Sequence, residues 1–366
     1  MRVTWFTARA LTDLCSTTQI ELANGLAKRG HQITLINGDA THSNVEHGFN
    51  HIPLDTSGIR GLQSKLLGRG MRKWLGQCQS NSVDCAIVDW KIANSIVPQL
   101  EHQSIPWVLM DRSPPADSGM FAKFQWPSWK RAWRLVRESK VGRGCVVSEQ
   151  HQLFVHQQTG CEPEKISVLQ AGVDLKRFKP RKKNSMLTLV YHGRVDKNRG
   201  VLSLPMLLQK ARAAGVDCKL VVIGEGDAFD GLEQIAKRNK MIEVFSTMPR
   251  DQLAERLGEA HIGLLPMPET KVWKIASPLK RSEYLASGLL VFGIDHAGHR
   301  MDAGIEQWMK LVKQNEFHAE GCKWLSNLDE DKITLLSALS RNYAEEHLSW
   351  EGSIQALEDC MGFFIH

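Results

Sequence analysis

The sequence predicts an α/β protein made of two doubly wound domains, and three observations lead to this fold class. Its 366 residues, 42% of them apolar, are enough for two hydrophobic cores. Short apolar runs alternate with segments of helical periodicity, which is the pattern of parallel sheets covered by helices. A charged stretch with one proline interrupts this pattern near the middle of the chain. We therefore expect two Rossmann-like domains that face each other across a cleft, with ligands at the carboxyl ends of the strands.

The first half of the chain opens with a strand, a helix and a second strand, the unit of a parallel sheet. Residues 3–7 form an apolar run, apolar residues between Ile20 and Ala27 recur at helical spacing, and residues 32–36 form the next run. Further strands are predicted at residues 85–88, 107–110, 144–147 and 166–169.

The charged stretch at residues 178–185 has no apolar core residue after Phe178, so we place the domain boundary there. The first domain then comprises residues 1–181, and the second begins at residue 182. The end of the chain has helical periodicity with a break near Ser349. Strands of the second domain are predicted at residues 187–191, 220–223, 242–245, 262–265 and 289–293.

The composition narrows the function classes. The formal net charge of +6 is mildly basic and suits anionic partners such as diphosphates or acidic lipid headgroups. None of the eight cysteines forms a C-x-x-C pair, which excludes zinc-ribbon and dithiol redox motifs. No apolar run is long enough to span a bilayer, and the first residues are typical of a strand rather than a signal peptide. We therefore expect a cytoplasmic protein, and its basic residues match no nucleic-acid reader motif.

A basic, glycine-containing segment follows the first predicted strand of the second domain. Gly193 and Gly200 permit a close backbone approach, and Arg194 and Arg199 carry planar guanidinium groups that bind phosphate oxygens in pairs. The segment predicts a pyrophosphate clamp, and a solvated basic loop is the alternative interpretation.

Gly224, Glu225 and Gly226 form a second glycine-containing turn, at the end of the next strand. Two glycines between a strand and a helix let the backbone meet a ligand. A plain strand-to-helix turn would have the same pattern, so this turn alone does not decide between the two.

A third segment has the signals of a helix of about three turns. Ser277 is a preferred N-cap and Pro278 a preferred first residue, and a glycine ends the segment. The amides of Leu279 and Lys280 at the helix start form a natural diphosphate site. Lys280 and Glu283 share a face, and an ordinary surface salt bridge between them is the alternative.

These three segments together resemble the donor half of retaining GT-B glycosyltransferases of family four, also called glycosyl transferases group 1. The resemblance covers nearly the whole chain and implies a GT-B fold. In that fold, residues 182–345 form the donor domain, and a closing helix at residues 346–366 joins the first, acceptor-side domain. Other stretches that resemble the family, in the same order, are residues 22–31, 147–148, 165–180 and 348–350.

The resemblance implies a metal-free transfer of a sugar, with retention, from a nucleotide-diphosphate sugar to an acceptor hydroxyl. It implies no cofactor besides that donor. Arg194 and Arg199 would hold the diphosphate and, with Lys280, stabilise the charge of the leaving group. Glu283 would bind the donor ribose. The other residues implied on the donor side are Gly193, Gly224, Glu225, Gly226 and Leu279.

Several positions depart from the usual pattern of the family. Arg199 stands where lysine is usual, and Ile275 stands where many members carry a second glutamate. A subgroup with a Pro-x-Lys-x-x-Glu-Tyr segment, which this chain resembles, also lacks that glutamate. Asp89 stands where a histidine often faces the donor sugar, and the next strand ends in Asp111 and Arg112. Asp89, Asp111 and Arg112 are the predicted acceptor side.

A segment that begins at Phe121 and ends at Arg143 combines tryptophans with basic residues. Trp126, Trp129 and Trp133 lie among seven lysines and arginines and a single acidic residue. Such a mixture is typical of a surface that meets an anionic membrane, which would suit a lipid-linked acceptor at the inner face of the membrane. The alternative is a solvated helix whose tryptophans pack on the core.

Two other functions are compatible with the sequence. A hydrolysing sugar-nucleotide epimerase has the same fold and diphosphate clamp but uses no acceptor. A non-catalytic nucleotide-sugar-binding GT-B protein would account for the departures at Ile275 and Asp89. For a transferase, both glycan and lipid-linked acceptors are compatible with the sequence.

Overall fold

The computed structural model describes residues 1–13, 16–43, 46–54, 63–78, 82–115, 120–301 and 307–362, with the backbone alone at residues 120–124. The chain divides into two compact units, Met1–Gln170 with Trp350–His366 and Ala171–Ser349. Each unit is built on one parallel β-sheet with helices between its strands. This architecture confirms the predicted α/β class with two Rossmann-like domains.

The first unit contains a sheet of seven strands. They are β1 (Arg2–Phe6), β2 (Gln32–Asn37), β3 (Asn50–Pro53), β4 (Cys85–Asp89), β5 (Trp107–Met110), β6 (Gly142–Val146) and β7 (Ile166–Val168). Its first five helices are α1 (Thr17–Lys28), α2 (Gln63–Gln77), α3 (Trp90–His102), α4 (Met120–Glu138) and α5 (Glu149–Thr159). The strand order is β3-β2-β1-β4-β5-β6-β7. The chain adds strands on one side of β1 up to β3 and on the other side from β4 onward, so the switch point lies between β1 and β4. Ligands of such sheets bind beyond the strand ends at this switch point.

The second unit contains a sheet of six strands. They are β8 (Leu187–His192), β9 (Cys218–Ile223), β10 (Ile242–Phe245), β11 (Ile262–Leu265), β12 (Leu290–Ile294) and β13 (Met309–Val312). Its helices are α6 (Leu204–Ala213), α7 (Phe229–Arg238), α8 (Arg250–Glu259), α9 (Lys271–Lys274), α10 (Leu279–Ala286), α11 (Phe317–Ser326) and α12 (Glu330–His347). The order is β10-β9-β8-β11-β12-β13, and the switch point lies between β8 and β11.

The unit boundary lies about ten residues before the predicted one, between Gln170 and Ala171. The backbone N–H of Val173 donates to the carbonyl of Leu348 at 2.8 Å, and Phe178 is fully buried in the core of the second unit. The charges that suggested a linker include Lys183, whose Nζ donates to the carbonyl of Ala260 at 2.7 Å. The segment is therefore part of the second unit rather than a free connection.

The last helix, α13 (Trp350–Gly362), belongs to the first unit. It packs against α1, where a β-carbon on Gly25 would overlap the side chain of Ile354. The guanidinium of Arg29 donates to Glu358 at 2.6 Å. The break predicted near Ser349 is confirmed, because α12 ends at His347 and α13 starts at Trp350. Within the described ranges, no helix is long and apolar enough to cross a membrane.

Candidate functional site

The predicted donor residues lie at the carboxyl ends of neighbouring strands in the second unit. β8 ends at His192, and Gly193 follows with its N–H bonded to the carbonyl of Ile223 at 2.9 Å. The N–H of Val195 donates to the carbonyl of Glu225 at 2.8 Å, so the loops after β8 and β9 are joined by backbone hydrogen bonds. These bonds make the two glycine turns one connected edge beside the switch point.

Gly224 can be replaced by no other residue without strain. Its φ is +144°, and a β-carbon there would overlap the carbonyl oxygen of Gly193. At Gly224 the close backbone approach is between the loop after β9 and the loop after β8.

We expect Gly224→Ala to lower the free energy of unfolding by about 2 kcal/mol, from the strained φ and the overlap. The matched control is Gly231→Ala in α7, where a β-carbon meets nothing within 4 Å. Alanine is the better helix former, so the control should gain up to about 1 kcal/mol. Urea unfolding of both variants measures the difference, and equal stability of the two would contradict this account of the turn.

Arg194 and Arg199 converge on one carboxylate. Arg194 Nη2 lies 2.9 Å from Asp196 Oδ1, and Arg199 Nε lies 3.4 Å from Asp196 Oδ2. Burial opposes ionisation of Asp196, but the two arginines outweigh it and lower the pKa of its carboxyl group. The sequence did not single out Asp196, although it lies between the two arginines.

Lys280 lies beside the same loop. It is 7% exposed, and its Nζ donates to the hydroxyl of Tyr191 at 3.0 Å and lies 4.1 Å from the centre of that ring. The Tyr191 hydroxyl in turn donates to the carbonyl of Arg194 at 2.6 Å. A β-carbon on Gly193 would be 3.4 Å from the Lys280 ammonium. The structure thus brings Lys280 to the loop that carries Arg194 and Arg199.

The third predicted segment is a helix, shorter at both ends than expected. α10 begins at Leu279 with Pro278 as its N-cap, rather than at Pro278 with Ser277 as cap. The backbone of Pro278 is extended, with ψ of 117°, so the helix cannot start there. In the first turn the amide of Arg281 donates to the carbonyl of Pro278 at 3.0 Å, and the helix dipole adds positive potential at this end.

Glu283 is a buried carboxylate in contact with two basic side chains. Its Oε1 accepts from Arg250 Nη2 at 3.1 Å, and its Oε2 lies 3.0 Å from His192 Nε2. Burial would raise the pKa of Glu283, but His192 and Arg250 together lower it to about 2. Burial lowers the pKa of His192, against the attraction of the Glu283 carboxylate, which raises it. Glu283 and Lys280 are both buried, which excludes the surface salt bridge considered above.

The lowered pKa of Glu283 predicts a pH dependence of stability. The ordinary value is 4.5 and the folded value about 2, so the folded chain binds fewer protons between these pH values. The stabilisation is complete above pH 4.5 and is lost as the pH falls toward 2. We expect wild type to lose about 3 kcal/mol more than Glu283→Gln across this window.

Urea unfolding at several pH values measures this difference. Glu346→Gln, at a side chain that is 71% exposed, is the control and should follow wild type. A Glu283→Gln profile parallel to wild type would contradict the assignment of an ionised, buried Glu283.

Glu225 connects the turn after β9 to the loop after β10. Its Oε1 accepts from Thr247 Oγ1 at 2.6 Å. Thr247 also lines an open cavity of about 710 Å³ between residues 245–249 and α8. The predicted position of Glu225 at a ligand stays a prediction.

In the first unit, Asp89 lies at the end of β4, beside β1. Its Oδ2 accepts from Thr7 Oγ1 at 2.6 Å, while its buried Oδ1 has no hydrogen-bond partner among the described residues. Arg112 Nη2 donates to Gln19 Oε1 at 3.5 Å, and Thr7 contacts the same amide oxygen at 3.2 Å. Asp89 and Arg112 therefore border one polar cluster at the switch point of this sheet.

The prediction that Asp111 contacts an acceptor stays a prediction, and its side chain is fully buried. Its Oδ2 accepts from the indole N–H of Trp129 at 2.6 Å and from that of Trp133 at 2.8 Å. His151 Nε2 lies 3.4 Å from the same oxygen. Asp111 is thus the hydrogen-bond acceptor for two core tryptophans.

Two of the three tryptophans in the membrane interpretation do not face solvent, whereas the third, Trp126, is half-buried. Trp129 and Trp133 are 0% exposed and pack in the core of the first unit, and Gly144 leaves room for the ring of Trp133. The side chain of Phe121 lies outside the described residues. The basic part of α4 is exposed, and its members are Lys130, Arg131, Arg134 and Arg137.

Ile275, at the position of the missing glutamate, is a buried apolar residue. It precedes α10 and lies in the segment that connects β11 to that helix. In the part of the chain that the structure describes, no three histidine, cysteine or acidic side chains are grouped as a metal site.

Comparison with known proteins gives one family model and one curated relative. The model described as Glycosyltransferase Family 4 matches residues 16–177. The putative colanic acid biosynthesis glycosyltransferase WcaL of Salmonella typhimurium is 27% identical over 209 residues, which are 54% of this chain. The match spans about half the length of that relative, 50%.

Solved structures resemble the chain over its whole length. Sucrose-phosphate synthase from Thermosynechococcus elongatus has a TM-score of 0.80 at 15% identity, covering 100% of this chain and 99% of that one. WaaG, a glycosyltransferase of lipopolysaccharide biosynthesis, has a TM-score of 0.73 at 13% identity, covering 99% of each chain. Anabaena HepE, solved with UDP-glucose, has a TM-score of 0.74 at 12% identity, covering 99% of this chain and 100% of that one. These likenesses establish the GT-B fold.

Proposed function

We propose that this chain is a glycosyltransferase that transfers a sugar from a nucleoside-diphosphate sugar to an acceptor hydroxyl, with retention. The observation that carries the proposal is that Lys280 lies beside the loop that carries Arg194 and Arg199, next to the switch point of the second sheet. The names of WcaL and WaaG, and the UDP-glucose bound to HepE, support it.

In the proposed reaction, the bond between the anomeric carbon and the diphosphate oxygen breaks, and negative charge builds on that oxygen. The cations and the first-turn amides of α10 stabilise this charge, which is usually the largest catalytic contribution in such sites. The acceptor hydroxyl attacks the anomeric carbon from the face that the diphosphate leaves, and its proton passes to the departing phosphate. The proposal uses the donor as substrate and needs no cofactor.

The carboxylate of Asp89 is the proposed contact for a hydroxyl on the acceptor side. A buried carboxylate oxygen without a partner is costly, and a sugar hydroxyl would supply the missing donor. Arg112, at the same polar cluster, would assist.

The experiment is a thermal-shift screen of UDP, GDP, ADP, CDP and dTDP sugars, followed by analysis of the products of the one that binds. Binding raises the melting temperature, because a ligand that binds only the folded state stabilises it by RT ln(1 + [L]/Kd). A transferase releases the nucleoside diphosphate and transfers the sugar to an added glycan or lipid-linked acceptor. A free epimerised sugar identifies a hydrolysing epimerase, binding without turnover identifies a non-catalytic binder, and no binding contradicts the proposal.

We also propose that the basic face of α4 meets anionic lipid at the inner face of a membrane. Each lysine or arginine near such a surface contributes about 1 kcal/mol, so reversing two of them removes much of the attraction. We expect Arg131→Glu with Arg134→Glu to weaken binding to phosphatidylserine vesicles at least about tenfold.

The control carries the same charge change elsewhere, Arg238→Glu with Lys240→Glu. It should bind the vesicles much as wild type does. Equal loss in both double variants would show a net-charge effect instead of a membrane face, and wild-type binding to neutral phosphatidylcholine vesicles would also argue against the proposal.

A further inference from the structure

Trp273 contacts the loop that carries the proposed diphosphate ligands. The guanidinium carbon of Arg199 lies 4.6 Å from the centre of the Trp273 ring. The indole N–H of Trp273 donates to the carbonyl of Asn198 at 3.3 Å. Trp273 belongs to α9, in the segment between β11 and α10. The contact therefore bridges the loops that follow β8 and β11, the two strands on either side of the switch point.

The backbone around this contact leaves little room for movement. Gly200 has φ of +73°, and a β-carbon there would overlap the carbonyl oxygen of Pro266. A β-carbon on Gly298 would overlap the carbonyl oxygen of Trp273 itself. The loop after β8 is thus packed against the backbone of Pro266, and the backbone of Trp273 is packed against Gly298.

The contacts of Arg199 restrain its guanidinium plane. Its guanidinium carbon lies over the Trp273 ring, Asp196 Oδ2 lies 3.4 Å from Nε, and Met267 Sδ lies 4.0 Å from Nη1. A planar guanidinium stacked on an indole keeps its in-plane N–H groups available, and these form the fork that binds two phosphate oxygens. A lysine ammonium is a point charge on a flexible stem, so a ring face cannot orient its donors in the same way.

We propose that Trp273 is a positioning residue, which holds the guanidinium of Arg199 face-on so that its in-plane donors point at the diphosphate of the donor. The inference rests on the proposed function, because it takes the ligand to be a nucleoside diphosphate. It also accounts for arginine in place of the lysine usual in the family that the sequence resembles. Arg199 and Trp273 act as a pair. Replacing either residue alone would remove the orientation of the guanidinium donors toward the diphosphate.

The test is a double-mutant cycle of Trp273→Ala and Arg199→Lys, measured by calorimetric titration. The probes are the nucleoside diphosphate that wild type binds most tightly and the corresponding monophosphate. We expect Trp273→Ala to weaken diphosphate binding about tenfold and monophosphate binding less than twofold, because a stacked, partly desolvated pair is worth about one to two tenfold steps. In the Arg199→Lys background, Trp273→Ala should change diphosphate binding less than about twofold.

Trp273→Phe keeps an aromatic face and should stay within about threefold of wild type. It serves as the control for an intact fold. A merely structural role of Trp273 would instead weaken the binding of the diphosphate and of the monophosphate equally. Equal effects on both probes, or an unchanged tenfold effect in the Arg199→Lys background, would overturn the inference while leaving the proposed function intact. Failure of wild type to bind any of UDP, GDP, ADP, CDP and dTDP would overturn the proposed function and, with it, this inference.

Discussion

Replacing Lys280 with methionine is expected to lower kcat for donor turnover about 100- to 1000-fold, the loss seen when one group that stabilises a developing anion is removed. Lys280 is buried beside Gly193, where its charge is poorly screened by water. Methionine fills a similar volume without charge, so the melting temperature should not fall. A loss of turnover without a loss of stability therefore separates a chemical role from a structural one.

Lys274→Met is the matched control for this change. Lys274 lies six residues earlier, is 47% exposed and pairs with Glu269 at 2.7 Å. We expect its donor turnover to stay within about twofold of wild type, because an exposed ion pair contributes little. Release of nucleoside diphosphate from the donor measures both variants. Turnover by Lys280→Met at more than about a tenth of the wild-type rate would contradict a direct role for the ammonium group.

Replacing Asp111 with alanine is expected to destabilise the first unit by about 4 kcal/mol. The change removes the acceptor of two buried indole N–H groups, and each buried donor left unpaired costs about 1 to 3 kcal/mol. Asp111→Asn keeps one acceptor oxygen and should lose less. The urea midpoint followed by tryptophan fluorescence measures the effect.

Asp251→Ala is the matched control, because Asp251 is 83% exposed and pairs with Arg177 at 2.9 Å. A surface pair of this kind contributes less than about 1 kcal/mol. If Asp111→Ala were as stable as Asp251→Ala and instead lost acceptor binding, Asp111 would contact the acceptor and would not stabilise the core. Replacing Trp129 and Trp133 by phenylalanine in the Asp111→Ala background should restore part of the stability, since the two indole donors are then absent.

The fold was predictable where strands are buried on both faces. β5 and the first four residues of β4 are continuous apolar runs, because helices cover both sides of the sheet. The two strands that the sequence did not predict, β3 and β13, are four residues long and lie at sheet edges. β3 begins with Asn50 and His51, and β13 contains Lys310, so neither strand gives a continuous apolar run.

The donor-side residues were predictable from order along the chain, because parallel strands bring their carboxyl ends to one edge of the sheet. Their partners were not. Lys280 meets Tyr191 and Trp273 meets Arg199 through contacts between residues far apart in sequence. Asp111 looked like a ligand because it ends a strand, and only the packing of α4 shows that indoles 18 and 22 residues later use its carboxylate.

A crystal structure of the chain with its nucleoside diphosphate would show whether the phosphates bind beside Lys280 and Arg199. We expect the terminal phosphate within hydrogen-bonding distance, about 3 Å, of Lys280 Nζ and of the first-turn amides of α10, with Arg199 bound to the same diphosphate. A diphosphate bound away from the carboxyl ends of β8 and β11, with Lys280 and Arg199 unchanged, would contradict the proposed diphosphate site.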